Sequence, residues 1–276
     1  MRSFHALASL LLSSLALACG PSYAGDGYSG RLTVTGSSTI APLLVDVAKR
    51  FEASHPGLRI DVQTGGSSRG IADVHAGLAD IGMSSRYLVG PERDALHEHR
   101  IAIDGVAFVL NGANPVLRLS REQLRGIFTG VLDDWSQVGG TAGPITVIDR
   151  ARGRSEVSLI TGYLEFDARD IVPDAVAGEN QQVVKQVASD PAAISYLSVG
   201  TALVARDAGV SLRLLPLADV EANASSVQAR VYPLARPLLL LLGGDADERA
   251  RAFVEFAASP AIHDLIRDHS FVPASH

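Results

Sequence analysis

The chain has 276 residues, of which 47% are hydrophobic and 5% aromatic, and its formal net charge is −6. This length can bury one large hydrophobic core or two smaller ones, built mainly from Leu, Val, Ile and Ala. The sequence has no block of basic residues, which argues against a nucleic-acid partner or an anionic membrane surface. The composition therefore indicates a soluble globular protein.

The first residues have the pattern of an export signal. A short basic start precedes the apolar run Ala6–Ala18, which is too short to span a bilayer as a permanent helix. Two processing routes remain open. The residues before Cys19 resemble a lipobox, in which residues 1–18 are removed and Cys19 is lipidated, and conventional cleavage after Ala24 would remove residues 1–24. We expect a periplasmic or exported protein, with a lipid anchor at Cys19 in the first case.

Strand and helix patterns alternate from Leu32 onward, and each helix follows a strand. Repeated β–α–β units imply a largely parallel sheet with helices on both faces. Ligands of such sheets bind beyond the carboxyl ends of the strands. The predicted elements of this part are strands at Leu32–Thr35, Leu58–Gln63 and Ala79–Met83 and helices at Ile40–Ser54 and Ser68–Ala76.

The middle of the chain repeats this alternation around its own apolar positions. Strands near Val106–Asn111 and Val231–Leu242 are expected to cross between two lobes and so to form a double hinge. The other predicted elements are helices at Ser120–Phe128, Glu156–Leu164, Val183–Ser189 and Ala246–Ser259 and strands at Ile145–Asp149 and Ala193–Leu197.

Two Gly/Ser segments are the strongest chemical signal in the chain. The first lies in TVTGSSTIAPLL (Thr33–Leu44) and the second in QTGGSSRGIADVHAGLADIGMSSR (Gln63–Arg86). Each joins a strand to an amphipathic helix, so backbone N–H groups, hydroxyls and a helix N-terminus point to one place, which suits an oxyanion. Taken alone, the hydroxyls at 37–39 could be a simple helix cap and Asp80 a turn carboxylate.

With these motifs the chain resembles the phosphate-binding proteins of bacterial phosphate ABC importers, over nearly all of Leu32–Pro273. The motifs, in order, are GSSTIAPL, GGSSRGI, LADIGMSSR, EQLRGIFTGVLDDWSQVGG, VVKQVASDPAAISYLSVG, YPLARPLLL and SFVP. The resemblance implies a type II periplasmic binding protein fold of the α/β class, with mostly parallel sheets flanked by helices. It also implies hinge closure and delivery of ligand to an inner-membrane ABC permease. Residues 30–108 and 235–276 are expected to form the first lobe, and 109–234 the second.

The same resemblance implies which residues contact inorganic phosphate. We expect a monomer that is not an enzyme, with no cofactor, no metal site and no nucleic-acid partner. The predicted ligand contacts are Ser38, Thr39, Ser67, Ser68 and Asp80 in the first lobe and Arg150, Gly153, Arg154 and Ser155 in the second.

The residue types suit this ligand because phosphate near neutral pH both accepts and donates hydrogen bonds. Hydroxyls and N–H groups serve its oxygens, and an arginine adds a charge-assisted, potentially bidentate contact. The carboxylate of Asp80 is expected to accept the remaining proton of the ligand and to repel a fully ionised oxyanion such as sulfate.

The loop Arg150–Glu156 departs from the family pattern. Arg152 replaces an acidic residue, and Glu156 stands where a threonine hydroxyl is expected. We expect Glu156 to lie in a first helical turn, facing solvent and paired with Arg152 or Arg154, because an unpaired carboxylate would oppose a bound anion.

Two other functions remain open. A receptor of the same fold could sense a different oxyanion, and a secreted phosphoester hydrolase could use such a cleft. No serine has a local pattern that indicates a base-activated nucleophile, although a triad need not be local. His97 and His99 are predicted to lie on a helix, where residues two apart do not share a face, so they are poor candidates for a metal site.

Overall fold

The computed structural model describes residues 27–274, so Cys19 and both predicted cleavage positions lie outside the described residues. The strands are β1 (Ser29–Gly36), β2 (Gly57–Thr64), β3 (Ile81–Ser84), β4 (Leu96–Asn111), β5 (Thr146–Arg150), β6 (Ala175–Ala177), β7 (Ala193–Ser198), β8 (Leu212–Leu214), β9 (Ala235–Gly243) and β10 (Val272–Pro273). The α-helices are α1 (Ala41–Ser54), α2 (Ser67–His75), α3 (Glu92–Ala95), α4 (Arg121–Phe128), α5 (Ser155–Leu164), α6 (Asn180–Ser189), α7 (Val199–Asp207), α8 (Ala224–Gln228), α9 (Glu248–Ala258) and α10 (His263–Asp268). Short 3₁₀ turns lie at Trp135–Val138, Ala168–Asp170 and Pro260–Ile262.

The predicted helices form where the spacing of apolar residues and the capping residues both indicate a helix. In α1 the stripe Leu43, Leu44, Val47, Ala48 and Phe51 is buried, as its spacing predicts. At the start of α4 the Ser120 side chain accepts from the Gln123 amide while the Gln123 side chain accepts from the Ser120 amide. The sequence patterns and the helix ends therefore match.

The strands form one curled sheet in the order β2-β1-β3-β9-β4-β7-β5-β6. Its two ends are parallel, with β1 between β2 and β3, and with β5 between β6 and β7. The middle is antiparallel, because β9 returns between β3 and β4 and β4 runs antiparallel to β7. The predicted α/β class is confirmed, and the antiparallel middle is the detail that the β–α–β pattern did not predict.

Strand β4 connects two large hydrophobic cores, and its first residue, Leu96, belongs to a third, smaller one. Residues Leu96–Gly105 of this strand pair with β9, and from Val106 onward it pairs with β7. One core is formed by residues between Leu32 and Ala102 and between Leu238 and Phe271. The other is formed by residues between Val106 and Leu234, together with Val272. We call the parts of the chain around these two cores the first lobe and the second lobe, respectively. The chain changes core close to the two predicted crossing strands. The boundaries 30–108, 109–234 and 235–276 stay a prediction.

The prediction of a helix at His97 and His99 is wrong, because both residues lie on β4. Residues two apart on a strand share a face, so the stated reason against a metal site does not hold. Within residues 27–274, no group of three or more His, Cys, Asp and Glu could hold a metal ion. Burial lowers the pKa of His99, and the neighbouring His97 adds to the effect.

Candidate oxyanion site between the lobes

The two Gly/Ser segments meet at the carboxyl ends of β1 and β3. The Oγ atoms of Ser37 and Ser85 lie 3.0 Å apart, and Ser67 Oγ lies 3.3 Å from Ser85 Oγ. Gly36 permits this approach: its φ is +132°, and a Cβ there would lie 2.3 Å from the Met83 carbonyl oxygen. The turn after β1 therefore requires glycine, and the hydroxyls of both segments converge.

The second lobe presents its own hydroxyl and amide groups to the same place. Ser155, the first residue of α5, has its Oγ 2.7 Å from Ser85 Oγ. Asn180, the first residue of α6, donates from Nδ2 to Thr39 Oγ1 at 3.1 Å. All four side chains are buried. Side chains at helix N-termini of both lobes thus contact one another directly.

Arg236 lies at the centre of these contacts. It is 2% exposed and comes from β9, where that strand passes between the two cores. Its guanidinium donates from Nη1 to Ser155 Oγ and from Nη2 to Thr39 Oγ1, both at 3.0 Å, and it forms an ion pair with Asp104. One arginine therefore holds hydroxyls of both lobes together.

Glu156 occupies the position that the sequence left unexplained. The expectation that it faces solvent and pairs with Arg152 or Arg154 is wrong: Glu156 is 3% exposed, and its Oε1 lies 3.0 Å from Arg236 Nη1. Thr39 also donates to this oxygen, at 3.3 Å. The helix position was predicted correctly, since Glu156 is the second residue of α5, but its side chain points between the lobes.

The buried charges keep Glu156 ionised. Burial raises the pKa of the Glu156 carboxyl, but Arg236 and then Arg150 outweigh it and lower the pKa to about 2. Burial raises the pKa of Asp104, against the opposing effects of Arg236 and the Gly200 amide. The centre of the cluster is therefore a charged network in which Arg236 contacts both Asp104 and Glu156.

Arg150, a predicted contact, is buried beside this network with free donors. It ends β5 and is 1% exposed, and its Nη2 donates to the Gly178 carbonyl at 3.3 Å. Its Nε and Nη1 are buried with no hydrogen-bond partner. Burial lowers the pKa of Arg150, while Glu156 raises it. Two buried guanidinium nitrogens whose N–H groups have no acceptor destabilise the fold, and a bound anion that accepts from them would offset this cost.

We call the set assembled here the interlobe cluster. It consists of Ser37, Thr39, Ser67, Ser85, Arg150, Ser155, Glu156, Asn180 and Arg236.

The remaining predicted contacts of the second-lobe loop line the rim of the interlobe cluster. Arg154 donates to Ser38 Oγ at 3.5 Å and pairs with Glu179 at 2.8 Å. The Ser68 amide donates to the Gly153 carbonyl at 3.3 Å. These contacts join the lobes at the edge of the cluster.

The structure does not bring Asp80 to the cluster. Asp80 precedes β3, so it lies at the amino end of that strand, whereas the cluster lies at the carboxyl end. Its Oδ2 accepts from the Thr33 amide at 2.7 Å, and its own amide donates to the Thr33 carbonyl. The expectation that Asp80 accepts a hydrogen bond from a ligand proton in the cleft is wrong. Its carboxylate instead supports the pairing of β1 and β3.

A groove of about 530 Å³ leads from the surface to one side of the cluster. Ser38 and Thr39 line it from the first lobe, and Glu179 and Asn180 line it from the second. A larger groove, of about 740 Å³, lies elsewhere against His97, Leu242 and Arg251, away from the interlobe cluster. The 530 Å³ groove reaches Thr39 and Asn180 of the cluster, and a groove of about 250 Å³ reaches Arg236.

The sequence match agrees with this architecture. The PBP superfamily domain matches residues 21–261, which is most of the chain. The chain belongs to the PBP superfamily. The two cores, the crossing strands and the polar cluster between the lobes are thus features of a PBP-like domain.

Curated relatives and solved structures show which members of this superfamily the chain is similar to. The phosphate-binding protein PstS of Bacillus subtilis is 28% identical over 251 residues, covering 90% of this chain and 82% of the relative. A crystal structure of an ABC-type phosphate transport receptor from Vibrio cholerae is 31% identical with a TM-score of 0.72, covering 88% of this chain and all of the other. A phosphate-bound structure from Clostridium perfringens, assigned as a phosphate ABC transporter substrate-binding protein, is 26% identical with a TM-score of 0.83, covering 89% and 100%. The resemblance stated from the motifs is confirmed.

Sequence reasoning missed several members of this PBP-like cluster. Arg236, and its ion-pair partner Asp104 outside the cluster, stand alone among apolar residues in LARPLLLLL and IAIDGVAFVL. A single charge inside an apolar strand is a usable signal of a buried ion pair. Ser37 and Ser85 lie inside the quoted motifs but were not singled out as contacts. Asn180 carried no signal, because an amide at a helix start is ordinary.

In the part of the chain that the structure covers, no helix is long and apolar enough to cross a membrane.

Proposed function

We propose that this protein is an exported binding protein that captures inorganic phosphate between its lobes and delivers it to an ABC permease. The observation that carries the proposal is Arg150: it is 1% exposed, and its Nε and Nη1 have no hydrogen-bond partner. Such donors favour an anionic acceptor, because a desolvated guanidinium with unpaired N–H groups is costly and an anion offsets both its charge and its missing hydrogen bonds.

The groups around Arg150 suit a tetrahedral oxyanion that still carries a proton. The hydroxyls of Thr39, Ser85 and Ser155 both donate and accept, so they can serve either kind of phosphate oxygen. The helices α1, α2, α5 and α6 begin at or near the cluster, and the positive ends of their dipoles favour an anion. The cluster therefore offers an uncharged hydrogen-bonding shell and buried arginines.

Relatives support the same ligand and the same role. The Bacillus subtilis and Vibrio cholerae proteins are named for phosphate binding and phosphate transport, and the Clostridium perfringens structure contains phosphate. These names describe binding proteins rather than enzymes, which supports a non-enzymatic role here. The export signal in residues 1–24, or 1–18 with Cys19 lipidated, belongs to the same proposal.

The lobes are proposed to close on the ligand as a double hinge. Contacts between lobes run through predicted ligand residues, with Thr39 bonded to Asn180 and Ser85 bonded to Ser155. The proposed ligand contacts are Ser38, Thr39, Ser67, Ser68, Arg150, Gly153, Arg154 and Ser155. A ligand that binds these groups stabilises the closed arrangement and presents it to the permease.

One observation favours a second candidate, a receptor of the same fold with a different oxyanion preference. Glu156 places a carboxylate next to Arg150 and Arg236, where a threonine hydroxyl is expected from the family pattern. A negative charge at that place disfavours highly charged anions. The two functions differ in ligand rank order, not in fold.

Calorimetric titration of the mature protein with phosphate, phosphite, arsenate, sulfate and molybdate tests the proposal. Phosphate and its near-isostere arsenate are expected to bind most tightly. A clear preference for another oxyanion would favour the second candidate, and no binding of any member would reject both. A phosphoester turnover assay on the same sample is expected to give no enzyme-dependent rate.

A further inference from the structure

The four buried charged side chains of the described chain meet at one place. They are Asp104, Arg150, Glu156 and Arg236, each at most 3% exposed. Two are positive and two are negative, so their formal charges sum to zero. A bound anion therefore adds uncompensated negative charge here, and the position of each carboxylate decides which anions are accepted.

The two carboxylates have different surroundings. Both carboxylate oxygens of Asp104 accept hydrogen bonds within the protein. Its Oδ1 accepts from the Gly200 amide at 3.1 Å, and its Oδ2 accepts twice from Arg236, at 3.2 and 2.9 Å. Glu156 instead accepts from Thr39, a predicted ligand contact of the first lobe, and directly follows Ser155, a predicted contact of the second. Of the two carboxylates, Glu156 is the one beside predicted ligand residues.

An oxyanion held by the hydroxyls of the interlobe cluster lies close to this carboxylate. Thr39 Oγ1 donates to Glu156 Oε1 at 3.3 Å, and Arg236 Nη1 lies 3.0 Å from both that oxygen and Ser155 Oγ, so a ligand that binds Thr39 and Ser155 has Glu156 beside it. Two ionised oxygens in contact repel each other strongly inside a protein. The contact becomes favourable when the ligand oxygen carries a proton and donates it to Glu156 as a hydrogen bond.

We propose that Glu156 is the residue that sets oxyanion selectivity, accepting a hydrogen bond from a protonated oxyanion and repelling one that has no proton. The proposal rests on the proposed function, since it takes phosphate as the protonated ligand. It gives Glu156, in the second lobe, the role that the sequence suggested for Asp80, in the first lobe: accepting a hydrogen bond from the ligand's proton. The unusual residue of the loop is then a selectivity group rather than a solvent-facing cap.

Calorimetric titration of four proteins with phosphate and with sulfate at pH 7 tests the proposal. The proteins are the parent, Glu156→Gln, Glu156→Thr and the control Glu179→Gln. Glu179 is matched because it is also a cleft carboxylate paired with an arginine, Arg154, but it lies at the rim with its side chain 34% exposed. Thermal melts establish that each variant is folded.

We expect the parent to prefer phosphate over sulfate by at least a hundredfold. Glu156→Gln removes the repulsion and supplies an N–H donor. It should therefore lower the affinity for phosphate and raise the affinity for sulfate, so that the ratio of the two affinities falls at least tenfold. Glu156→Thr should narrow it in the same direction. The Glu179→Gln variant should keep the parent's preference within about threefold, a range that corresponds to a rim charge screened by solvent.

Three results would overturn the inference while leaving the proposed function intact. The parent could bind sulfate as tightly as phosphate, which needs no variant to detect. The preference could stay unchanged in a folded Glu156 variant. Phosphate could bind at least tenfold tighter to Glu156→Gln with sulfate still excluded, which would make Glu156 an internal competitor of the ligand. Failure of all four proteins to bind phosphate would instead reject the proposed function, and the inference with it.

Discussion

Asp104 and Arg236 are directly opposite each other on β4 and β9, and Asp104 Oδ2 accepts from Arg236 Nη2 at 2.9 Å. Both side chains are 2% exposed. The pair lies where the two strands pass from one core to the other, and the free side of the guanidinium contacts Thr39, Ser155 and Glu156. One ion pair therefore aligns the crossing strands and orients the arginine toward the cleft.

Arg236→Leu is expected to be strongly destabilising. It leaves Asp104 and Glu156 buried without this partner, and breaking a buried ion pair in this way costs about 3–5 kcal/mol. The free energy of unfolding from urea titration measures the loss. Arg50→Leu is the control, because Arg50 forms an exposed ion pair with Asp264 through two hydrogen bonds, and its loss should lower the free energy of unfolding much less than Arg236→Leu does. Equal losses in the two variants would contradict the assigned role.

The stability of the protein should depend on pH through Glu156. Its folded-state pKa of about 2 lies below the value of about 4.3 for an unfolded glutamate, so the ionised form stabilises the fold above that value. The contribution is about 3 kcal/mol at neutral pH, and it is lost as the pH falls from about 5 to about 2.

Urea titrations of the parent and Glu156→Gln between pH 7 and pH 2.5 isolate this effect, because other acidic groups are common to both proteins. The difference in unfolding free energy between parent and variant should shrink as the pH falls. A difference that stays constant across this range would show that Glu156 is not held ionised by Arg236 and Arg150.

Arg150→Met should separate binding from folding. Methionine keeps much of the volume but removes the donors that have no partner in the fold, so phosphate affinity should fall by about 1.5–3 kcal/mol, or roughly tenfold to a hundredfold. Its loss of unfolding free energy should be smaller than that of Arg236→Leu, because Arg150 donates within the fold only to the Gly178 carbonyl. Unchanged phosphate affinity measured by calorimetry would remove Arg150 from the proposed site.

Asp80→Asn should affect the fold and not the ligand. The carboxylate accepts from the Thr33 amide at 2.7 Å between β1 and β3, and the substitution weakens that hydrogen bond by about 0.5–1.5 kcal/mol. Phosphate affinity and the preference over sulfate should stay within about twofold of the parent, a difference of about 0.4 kcal/mol. A large change in selectivity would restore the ligand role that the sequence suggested for Asp80.

Ligand-induced closure should be visible in solution. Small-angle scattering of the mature protein is expected to give a monomer whose radius of gyration decreases when phosphate is added to saturation, because the contacts between Thr39 and Asn180 and between Ser85 and Ser155 join the lobes. Sulfate at the same concentration is the control for ionic strength. Identical profiles with and without phosphate would argue against hinge closure.

The sequence by itself determined the class of fold and the place of the site. Helix-spaced apolar residues in α1, the cap of α4 and the glycine at the end of β1 are local signals, and local signals survive in a single sequence. The Gly/Ser segments indicated where an oxyanion would bind, because they follow strands whose carboxyl ends meet at one edge of the sheet. The choice of Thr39 and Ser67 as contacts came from the family resemblance. The ordered motifs indicated the family for the same reason.

Only the tertiary structure determined which charged residues lie at the site. Asp80 and Ser85 lie at opposite ends of β3, and which end faces the cleft follows from the pairing of β1 with β3 rather than from the motif. Arg236 and Glu156 are 80 residues apart in sequence, and they meet because β9 returns between β3 and β4. An ion pair between distant segments has no local pattern, since its energy depends on burial and distance, and neither quantity exists until the chain has folded.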